Sequence, residues 1–221
     1  MFEVETIGDA TLYRADCLAV LPHLDLFDAI VTDPPYGIRE NSNKVASRGK
    51  LAKAIDYGDF DWDNSPANDW HISAMLQKSK HQIIFGGNYM KLPPTRCWLV
   101  WDKENGESDF ADCELAWTNL DKAVRKISYL WNGMIRRGDD GKRVHPTQKP
   151  FEVMRWCIGH LSDEVNTICD PFMGSGTTGC AAVSLGKKFT GIELDKRYFD
   201  IACERIAEAQ KQGDFLVASN M

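Results

Sequence analysis

The residues best placed to do chemistry follow a short apolar run at Ala29–Thr32 and read Asp33-Pro34-Pro35-Tyr36. Neither proline can donate a backbone hydrogen bond, so the predicted strand ends here in a stiff turn. The turn fixes the Asp33 carboxylate, the Pro34 carbonyl oxygen and the Tyr36 ring. Two such acceptors can each take one N–H hydrogen of an exocyclic amino group and localise the nitrogen lone pair, while the ring stacks on a base that has left its helix. The plainer alternative is a rigid turn in which Asp33 caps a helix and Tyr36 lies in the core.

A second group of residues forms a glycine-rich loop between a predicted strand and a predicted helix. Gly174, Gly176 and Gly179 satisfy the pattern G-x-G-x-x-G, and the next predicted strand delivers Glu193 at its carboxyl end. Glycine allows sharp turns and close approach to a ligand, and an acid in this position accepts hydrogen bonds from ribose hydroxyls. The pattern therefore predicts a ribose-bearing ligand. A tight strand-to-helix turn without a ligand is the alternative.

The strand before this loop ends in Asp170, which helps to choose the ligand. A carboxylate there repels a pyrophosphate and attracts an ammonium group. The loop also comes late in the chain, with one strand and one long helix after it, whereas a dinucleotide fold needs more strands after its fingerprint. S-adenosylmethionine carries both a ribose and an ammonium group, so it fits better than NAD. The remaining strands must come from the N-terminal part, which predicts a circularly permuted sheet.

Short apolar runs bounded by turn residues predict buried strands, and helical spacing follows several of them. The predicted strands are 10–13, 29–32, 82–85, 97–101, 127–131, 166–169 and 188–192, and the predicted helices are 151–160, 176–185 and 195–210. Strands that alternate with helices favour an α/β fold. We therefore expect a single domain over 1–221, built as three layers around a mostly parallel, Rossmann-like sheet.

The composition is ordinary for a globular protein, with 221 residues, 43% hydrophobic and 26% charged. No apolar run reaches the roughly 18 residues of a membrane span, and the N-terminus lacks the basic start and apolar stretch of a signal peptide. The seven cysteines show no Cys-x-x-Cys spacing, and the five histidines are scattered. We therefore expect reduced thiols, no metal site and a cytoplasmic location.

A net charge of −6 argues weakly against a nucleic-acid partner, but two stretches are locally basic. Range 39–53 has five basic residues and one acidic residue, and range 122–149 has eight and two. A local patch binds phosphate whatever the mean charge, although solvated loops are the alternative. Segment 37–70 is rich in Gly, Asn, Ser, Lys and Asp, which predicts a long functional loop. We expect target DNA to contact the regions at about 37–70 and 122–149.

Taken together, these motifs resemble those of amino-methylating DNA methyltransferases that use S-adenosylmethionine. Their order, with Asp33–Tyr36 first and the loop at 170–178 last, is similar to that of the permuted beta class. The segment 145–150, which reads His-Pro-Thr-Gln-Lys-Pro, resembles the cofactor-contacting segment of that class, and the segment 14–18 is similar too. The resemblance covers roughly 10–37 and 140–207.

The resemblance implies a role for each matching residue. Asp33, Pro34, Pro35 and Tyr36 would form the catalytic turn. The cofactor-binding residues would be Asp16 near the adenine, Glu193 at the ribose, Asp170 near the amino group, Phe172, Gly174, Gly176 and Thr177 around the methionine part, and Thr147 and Lys149 along the pocket. Taken alone, Glu193 could instead cap the following helix, and Lys149 could be a surface charge.

The resemblance also implies methyl transfer to a flipped base in double-stranded DNA. N6 of adenine is favoured because N4-cytosine relatives more often carry Ser where this chain has Asp33, but N4 of cytosine stays an alternative. An RNA or protein amide substrate, a nucleotide-binding oxidoreductase and a catalytically inactive DNA-binding protein are the other interpretations. The resemblance allows a homodimer and a restriction-modification setting. Little chain is left for target recognition, so we expect a short site or relaxed specificity.

Overall fold

The computed structural model describes residues 2–37, 67–105, 111–132, 135–136, 144–145 and 147–218. Short segments with β-branched and aromatic residues form its strands. They are β1 (Glu3–Ile7), β2 (Ala10–Arg14), β3 (Phe27–Thr32), β4 (Ser79–Phe85), β5 (Trp98–Asp102), β6 (Cys113–Thr118), β7 (Arg125–Ser128), β8 (Trp131–Asn132), β9 (Ile135–Arg136), β10 (Thr167–Asp170) and β11 (Lys188–Glu193). Nine of them form one sheet in the order β1-β2-β11-β10-β3-β4-β6-β5-β7, while β8 and β9 pair with each other.

The central strands of the large sheet run parallel. β2, β11, β10, β3 and β4 are joined by four successive parallel pairings, and β5 pairs in parallel with β7. β1 and β6 are antiparallel to their neighbours. The carboxyl ends of β2, β3, β4, β10 and β11 therefore meet at one edge, where open α/β sheets bind ligands. The two strands from the C-terminal part of the chain lie between β2 and β3, which confirms the permuted order.

Helices cover both faces of the sheet. They are α1 (Cys17–Val20), α2 (Asp69–Gln77), α3 (Phe151–Ile158), α4 (Thr177–Ser184) and α5 (Lys196–Ala218). Buried residues of α3, α4 and α5 pack with one face of the sheet in a single apolar cluster. Buried residues of α1 and α2 form a second cluster on the opposite face. Alternate residues of β3 serve the two clusters, since Ala29 and Val31 belong to the first and Ile30 to the second.

The predicted α/β fold is confirmed, and each predicted strand and helix overlaps an observed element. Five observed elements, β1, β6, β9, α1 and α2, were not predicted from the sequence. β1 is exposed along most of its length, so it lacks the buried apolar run that signals a strand. Most of the predicted loop at 37–70 lies outside the described residues, but α2 begins at Asp69, inside the predicted range. Among the described helices, none is long and apolar enough to cross a membrane.

Candidate active site

The Asp33–Tyr36 turn lies at the carboxyl end of β3, as predicted. The Ala67 backbone N–H donates to the Pro35 carbonyl oxygen at 3.0 Å, which ties the turn to the residues before α2. The turn places the Pro34 carbonyl group directly after Asp33 in the chain, at the end of β3.

Both oxygens of the Asp33 carboxylate already have partners. The Tyr36 hydroxyl donates to Oδ1 at 2.5 Å, and the Lys149 ammonium lies 2.5 Å from Oδ2. The same ammonium lies 3.1 Å from Oε2 of Glu114, whose Oε1 is 2.5 Å from Lys103 Nζ. Two cations and two carboxylates therefore alternate in a chain that ends at the Asp33–Tyr36 turn.

In this chain of charges, burial favours the neutral form of each group, whereas attraction between opposite charges favours the charged forms. Burial raises the pKa of Asp33, and the Lys149 ammonium offsets only part of that rise. Burial alone would lower the pKa of Lys149, but the Asp33 and Glu114 carboxylates outweigh it and raise that pKa. Burial likewise acts against ionised Glu114, yet Lys149 and Lys103 keep its pKa below the usual value. Lys149 and Glu114 are therefore held in their charged forms.

The Tyr36 ring contacts a glycine and a second aromatic residue. Tyr89 stacks on it with ring centroids 5.3 Å apart and planes 22° apart. Gly86, with φ +66°, lies so close to the ring that a Cβ atom there would overlap it. A cleft of about 490 Å³ opens beside Tyr89 toward the start of α2. The Gly86–Tyr89 segment thus shapes the site next to the catalytic turn.

Asp170 ends β10 beneath the glycine-rich loop and is buried. Its Oδ1 accepts from the Thr32 hydroxyl at 2.6 Å and from the Phe172 N–H at 3.0 Å. Burial raises the pKa of Asp170 to about 6, and hydrogen bonds, including one from Thr178, oppose the rise. Asp170 therefore fixes the start of the loop and links it to the end of β3.

Glu193 accepts hydrogen bonds both from the glycine-rich loop and from the residues that follow β11. Its Oε2 accepts from the Gly174 N–H at 3.0 Å, and its Oε1 accepts from the Asp195 N–H at 2.7 Å. The start of α5 is capped by the Asp195 side chain, which accepts from two backbone N–H groups, so the alternative role for Glu193 as the helix cap does not apply. Burial raises the pKa of Glu193 to about 7. Each carboxylate oxygen keeps a lone pair, which fits acceptance of a ribose hydroxyl.

Gly176 and Thr177 contact α5. At Gly176, with φ +80°, a Cβ atom would lie 2.9 Å from Ala202 Cβ. Arg205 donates to the Thr177 hydroxyl at 3.2 Å and to the Ser175 carbonyl oxygen at 2.6 Å. The need for glycine at position 176 thus has a packing cause that requires no ligand.

Gly174 lies on the other side of the loop, beside the histidine of the 145–150 segment. A Cβ atom at Gly174 would meet the His145 ring at 3.6 Å, and that ring also packs against Tyr198 with centroids 4.2 Å apart. The backbone N–H of Thr147 donates to His145 Nδ1 at 3.2 Å. Thr147 is therefore near the loop, whereas Lys149 points to Asp33.

Asp16 lies at the end of β2, next to the carboxyl end of β11. The Ala15 N–H donates to the Glu193 carbonyl oxygen at 3.0 Å, which holds the two strand ends together. Ligand atoms of Asp16, Cys17 and His71 lie within 4.8 Å of one another. Burial and the adjacent Asp16 raise the pKa of Cys17 to about 12.

The geometry thus brings the Asp33–Tyr36 turn, Glu193 and the glycine-rich loop to one edge of a permuted sheet. A family model described as DNA methylase matches residues 67–204, more than half of the chain. The chain belongs to the N6/N4 DNA methylase family. This family transfers methyl groups from S-adenosylmethionine to amino groups of DNA bases, so the chain is a DNA methyltransferase.

Relatives support the assignment of this DNA methylase. The type II methyltransferase M.HinfI of Haemophilus influenzae is 26% identical over 254 residues, which cover 92% of this chain and 70% of that protein. M2.LlaDCHI of Lactococcus lactis subsp. cremoris is also 26% identical, over 93% of this chain and 92% of its own length.

Solved structures share the fold of the methylase. The M1.HpyAVI complex with S-adenosylmethionine has a TM-score of 0.56 at 24% identity, over 89% of this chain and 98% of that one. The PvuII DNA methyltransferase, described as cytosine-N4-specific, has a TM-score of 0.56 at 17% identity, over 94% of this chain and 93% of that one.

Three residues of the methylase site were not predicted from the sequence. Glu114 and Lys103 belong to the charge chain at Asp33, and His71 packs against the Phe172 ring with centroids 5.5 Å apart, beside Asp16. One signal was present for Glu114, which interrupts the otherwise apolar run Cys113–Trp117. A charge inside a strand needs a buried partner or an exposed face, but the sequence does not say which.

Proposed function

We propose that the chain is a permuted, beta-class methyltransferase that modifies N6 of adenine in double-stranded DNA. The observation that carries this proposal is the Asp33-Pro34-Pro35-Tyr36 turn at the end of β3, which places the Asp33 carboxylate and the Pro34 carbonyl group next to each other in the chain. These two acceptors match the two N–H groups of an adenine amino group. The base choice is supported by Asp at position 33, where N4-cytosine relatives more often carry Ser. The fold does not select the base, since a cytosine-N4-specific enzyme shares it.

The residues of the turn would act by orienting and polarising the amino group. Asp33 and Pro34 would each accept one N–H hydrogen, which localises the nitrogen lone pair. Pro35 keeps the turn stiff, and Tyr36 would stack on the flipped base. Asp33, as the charged one of the two acceptors, would also take the proton that the amino group loses. S-adenosylmethionine supplies an activated methyl group, so alignment of the two reactants accounts for much of the rate.

The residues around the loop fit S-adenosylmethionine. Glu193 keeps one lone pair on each oxygen for ribose hydroxyls. Asp16, which lies close to His71, follows Ala15, whose N–H donates to the Glu193 carbonyl oxygen. Phe172, Gly174, Gly176 and Thr177 would surround the methionine part, with Thr147 near Gly174. Asp170 lies below them as a buried acid, near the proposed position of the ammonium group. Lys149 would serve the catalytic turn instead, because its ammonium group contacts Asp33.

The direct test is methyl transfer from isotope-labelled S-adenosylmethionine to unmodified DNA, followed by digestion and mass analysis of the nucleosides. We expect label in N6-methyladenine. Label in N4-methylcytosine would overturn the base assignment and leave the family unchanged. Absence of label in DNA, with label in RNA or protein, would reject the proposed substrate.

A pH dependence of cofactor binding tests the role of Glu193. The ionised carboxylate accepts hydrogen bonds better than the acid, and its pKa is raised to about 7. We therefore expect the Kd for S-adenosylmethionine, measured by calorimetry, to increase by up to about tenfold per pH unit below that pKa. The Glu193→Gln variant should bind more weakly and lose this slope near neutral pH. Asp170 titrates lower, at about 6, so it contributes only at more acidic pH. A wild-type Kd that does not vary around neutral pH would contradict the assignment.

Target DNA is proposed to lie across the cleft beside Tyr89. Trp70 at the start of α2 is 76% exposed and Tyr89 is 53% exposed, and Lys91 lines the same cleft. Exposed aromatic rings next to a flipped-base site suit stacking with unpaired bases. The start of the basic segment lies elsewhere, since Arg125 begins β7 at the opposite edge of the sheet from the Asp33 turn, whereas its last residue, Lys149, contacts Asp33. The rest of the regions 37–70 and 122–149, and the homodimer, stay predictions.

A further inference from the structure

The chain of alternating charges that ends at Asp33 includes two residues, Glu114 and Lys103, to which the proposed reaction assigns no role. Lys103 follows β5 and Glu114 belongs to β6, next to it in the sheet. The side chains are well covered, with exposed fractions of 18% for Lys103, 21% for Glu114, 7% for Lys149 and 19% for Asp33. The antiparallel strand β6 thus delivers a second carboxylate to the ammonium group that contacts Asp33.

The geometry of Glu114 is that of a shared ion pair. Its Oε2 lies 3.1 Å from Lys149 Nζ and makes no well-aligned hydrogen bond with any described group. Its Oε1 is held by Lys103. Fold stability alone is a poor explanation for this arrangement, because replacing buried ion pairs by apolar residues is often neutral or stabilising.

We propose that Glu114 is a positioning residue for methyl transfer, which holds the Lys149 ammonium between two carboxylates and so leaves Asp33 with the negative charge it needs. This inference rests on the proposed role of Asp33 as acceptor for the adenine amino group. That amino group gains positive charge as the methyl group arrives, and a carboxylate stabilises it best when its own charge is not fully neutralised. Without Glu114, the Lys149 ammonium would pair with Asp33 alone and would neutralise more of its negative charge.

Other groups that titrate or carry charge surround the pair. From the elements packed around it, the groups are Asp33 and Tyr36 after β3, Tyr89 after β4, Lys103 after β5, Cys157 on α3 and Asp170 on β10. Among these described groups, Glu114 and Lys103 are the ones whose charge can be removed without altering the turn, the loop or the ammonium itself. They therefore provide the test.

Two substitutions with opposite charge changes separate a positioning role from a structural one. Glu114→Gln removes a negative charge near Asp33, so the acidic limb of the pH–rate profile should move about one pH unit lower. Its kcat should fall about tenfold with KM for S-adenosylmethionine unchanged. Lys103→Gln removes a positive charge, so its acidic limb should move higher. General damage to the fold would not move the two limbs in opposite directions.

Matched controls accompany these variants. Glu164→Gln makes the same change at an exposed position and should leave the profile unchanged. Glu114→Asp keeps the charge and should restore most of kcat. A Glu114→Gln enzyme with wild-type kcat and an unmoved acidic limb would overturn the inference. If Glu114→Gln fails to bind cofactor because it does not fold, an unmoved limb in Lys103→Gln overturns it equally. Failure of the wild-type enzyme to label adenine would instead reject the proposed function.

Discussion

Asp33→Ala should lower the rate of methyl transfer to DNA by about 10³-fold or more, by analogy with loss of a principal transition-state contact. Asp33 lies beside the Pro34 carbonyl oxygen, and its carboxylate is the charged one of the two acceptors. Its loss leaves the amino lone pair delocalised and removes the charge that would stabilise the transition state. Binding of S-adenosylmethionine should stay within about threefold, because none of the described loop residues that fit the cofactor hydrogen-bonds to Asp33. Single-turnover kinetics with labelled cofactor, together with calorimetry, would measure both.

Two further variants sharpen this prediction. Asp33→Asn keeps one acceptor oxygen and removes the charge, so its rate should lie between those of the wild type and Asp33→Ala. Asp163→Ala removes an exposed carboxylate and should leave the rate unchanged. Full activity of Asp33→Ala would refute the proposed mechanism. Loss of DNA labelling together with loss of cofactor binding would instead indicate that the variant has not folded.

Lys149→Met should reduce the free energy of unfolding by about 3–5 kcal/mol at neutral pH, the usual cost of removing one partner of a buried ion pair. The Lys149 side chain is 7% exposed and contacts both Asp33 and Glu114. Methionine fills a similar volume but leaves Asp33 without a cation and Glu114 with Lys103 alone. Urea unfolding followed by circular dichroism would measure the loss. Methyl transfer should fall as well, because the Asp33 carboxylate becomes protonated more easily.

The same substitution should have a characteristic pH dependence. Removal of the ammonium raises the folded-state pKa of Asp33 further above its unfolded value, and it raises the pKa of Glu114, which the two lysines hold below its usual value in the wild type. Ionisation then opposes folding at neutral pH, and the penalty shrinks as the pH falls through the raised pKa values. The destabilisation should therefore be largest at neutral pH and smaller under mildly acidic conditions. Lys211→Met, at an exposed position of α5, should change stability by less than about 0.5 kcal/mol at either pH. A loss that grows on acidification would contradict the proposed ion-pair network.

The local features of this methylase were determined by its sequence. The strand before Asp33, the stiff Pro-Pro turn and the glycine-rich loop depend on neighbouring residues, so apolar runs and turn residues sufficed to place them. The late position of the loop likewise predicted the permuted sheet, because a parallel sheet needs its remaining strands from somewhere along the chain. β1 was not predicted, because it is largely exposed and pairs only with β2 at the edge of the sheet.

Which charges meet in the site was decided by the tertiary structure. Lys149 matches a cofactor-contacting segment in sequence, yet its long side chain reaches Asp33, 116 residues earlier in the chain. Glu114 joins it because β6 is inserted antiparallel between β4 and β5, a pairing that no local pattern encodes. Gly176 is required by the approach of Ala202 on α5. Side-chain partners across the sheet depend on strand order and register, and these emerge only when the whole core packs.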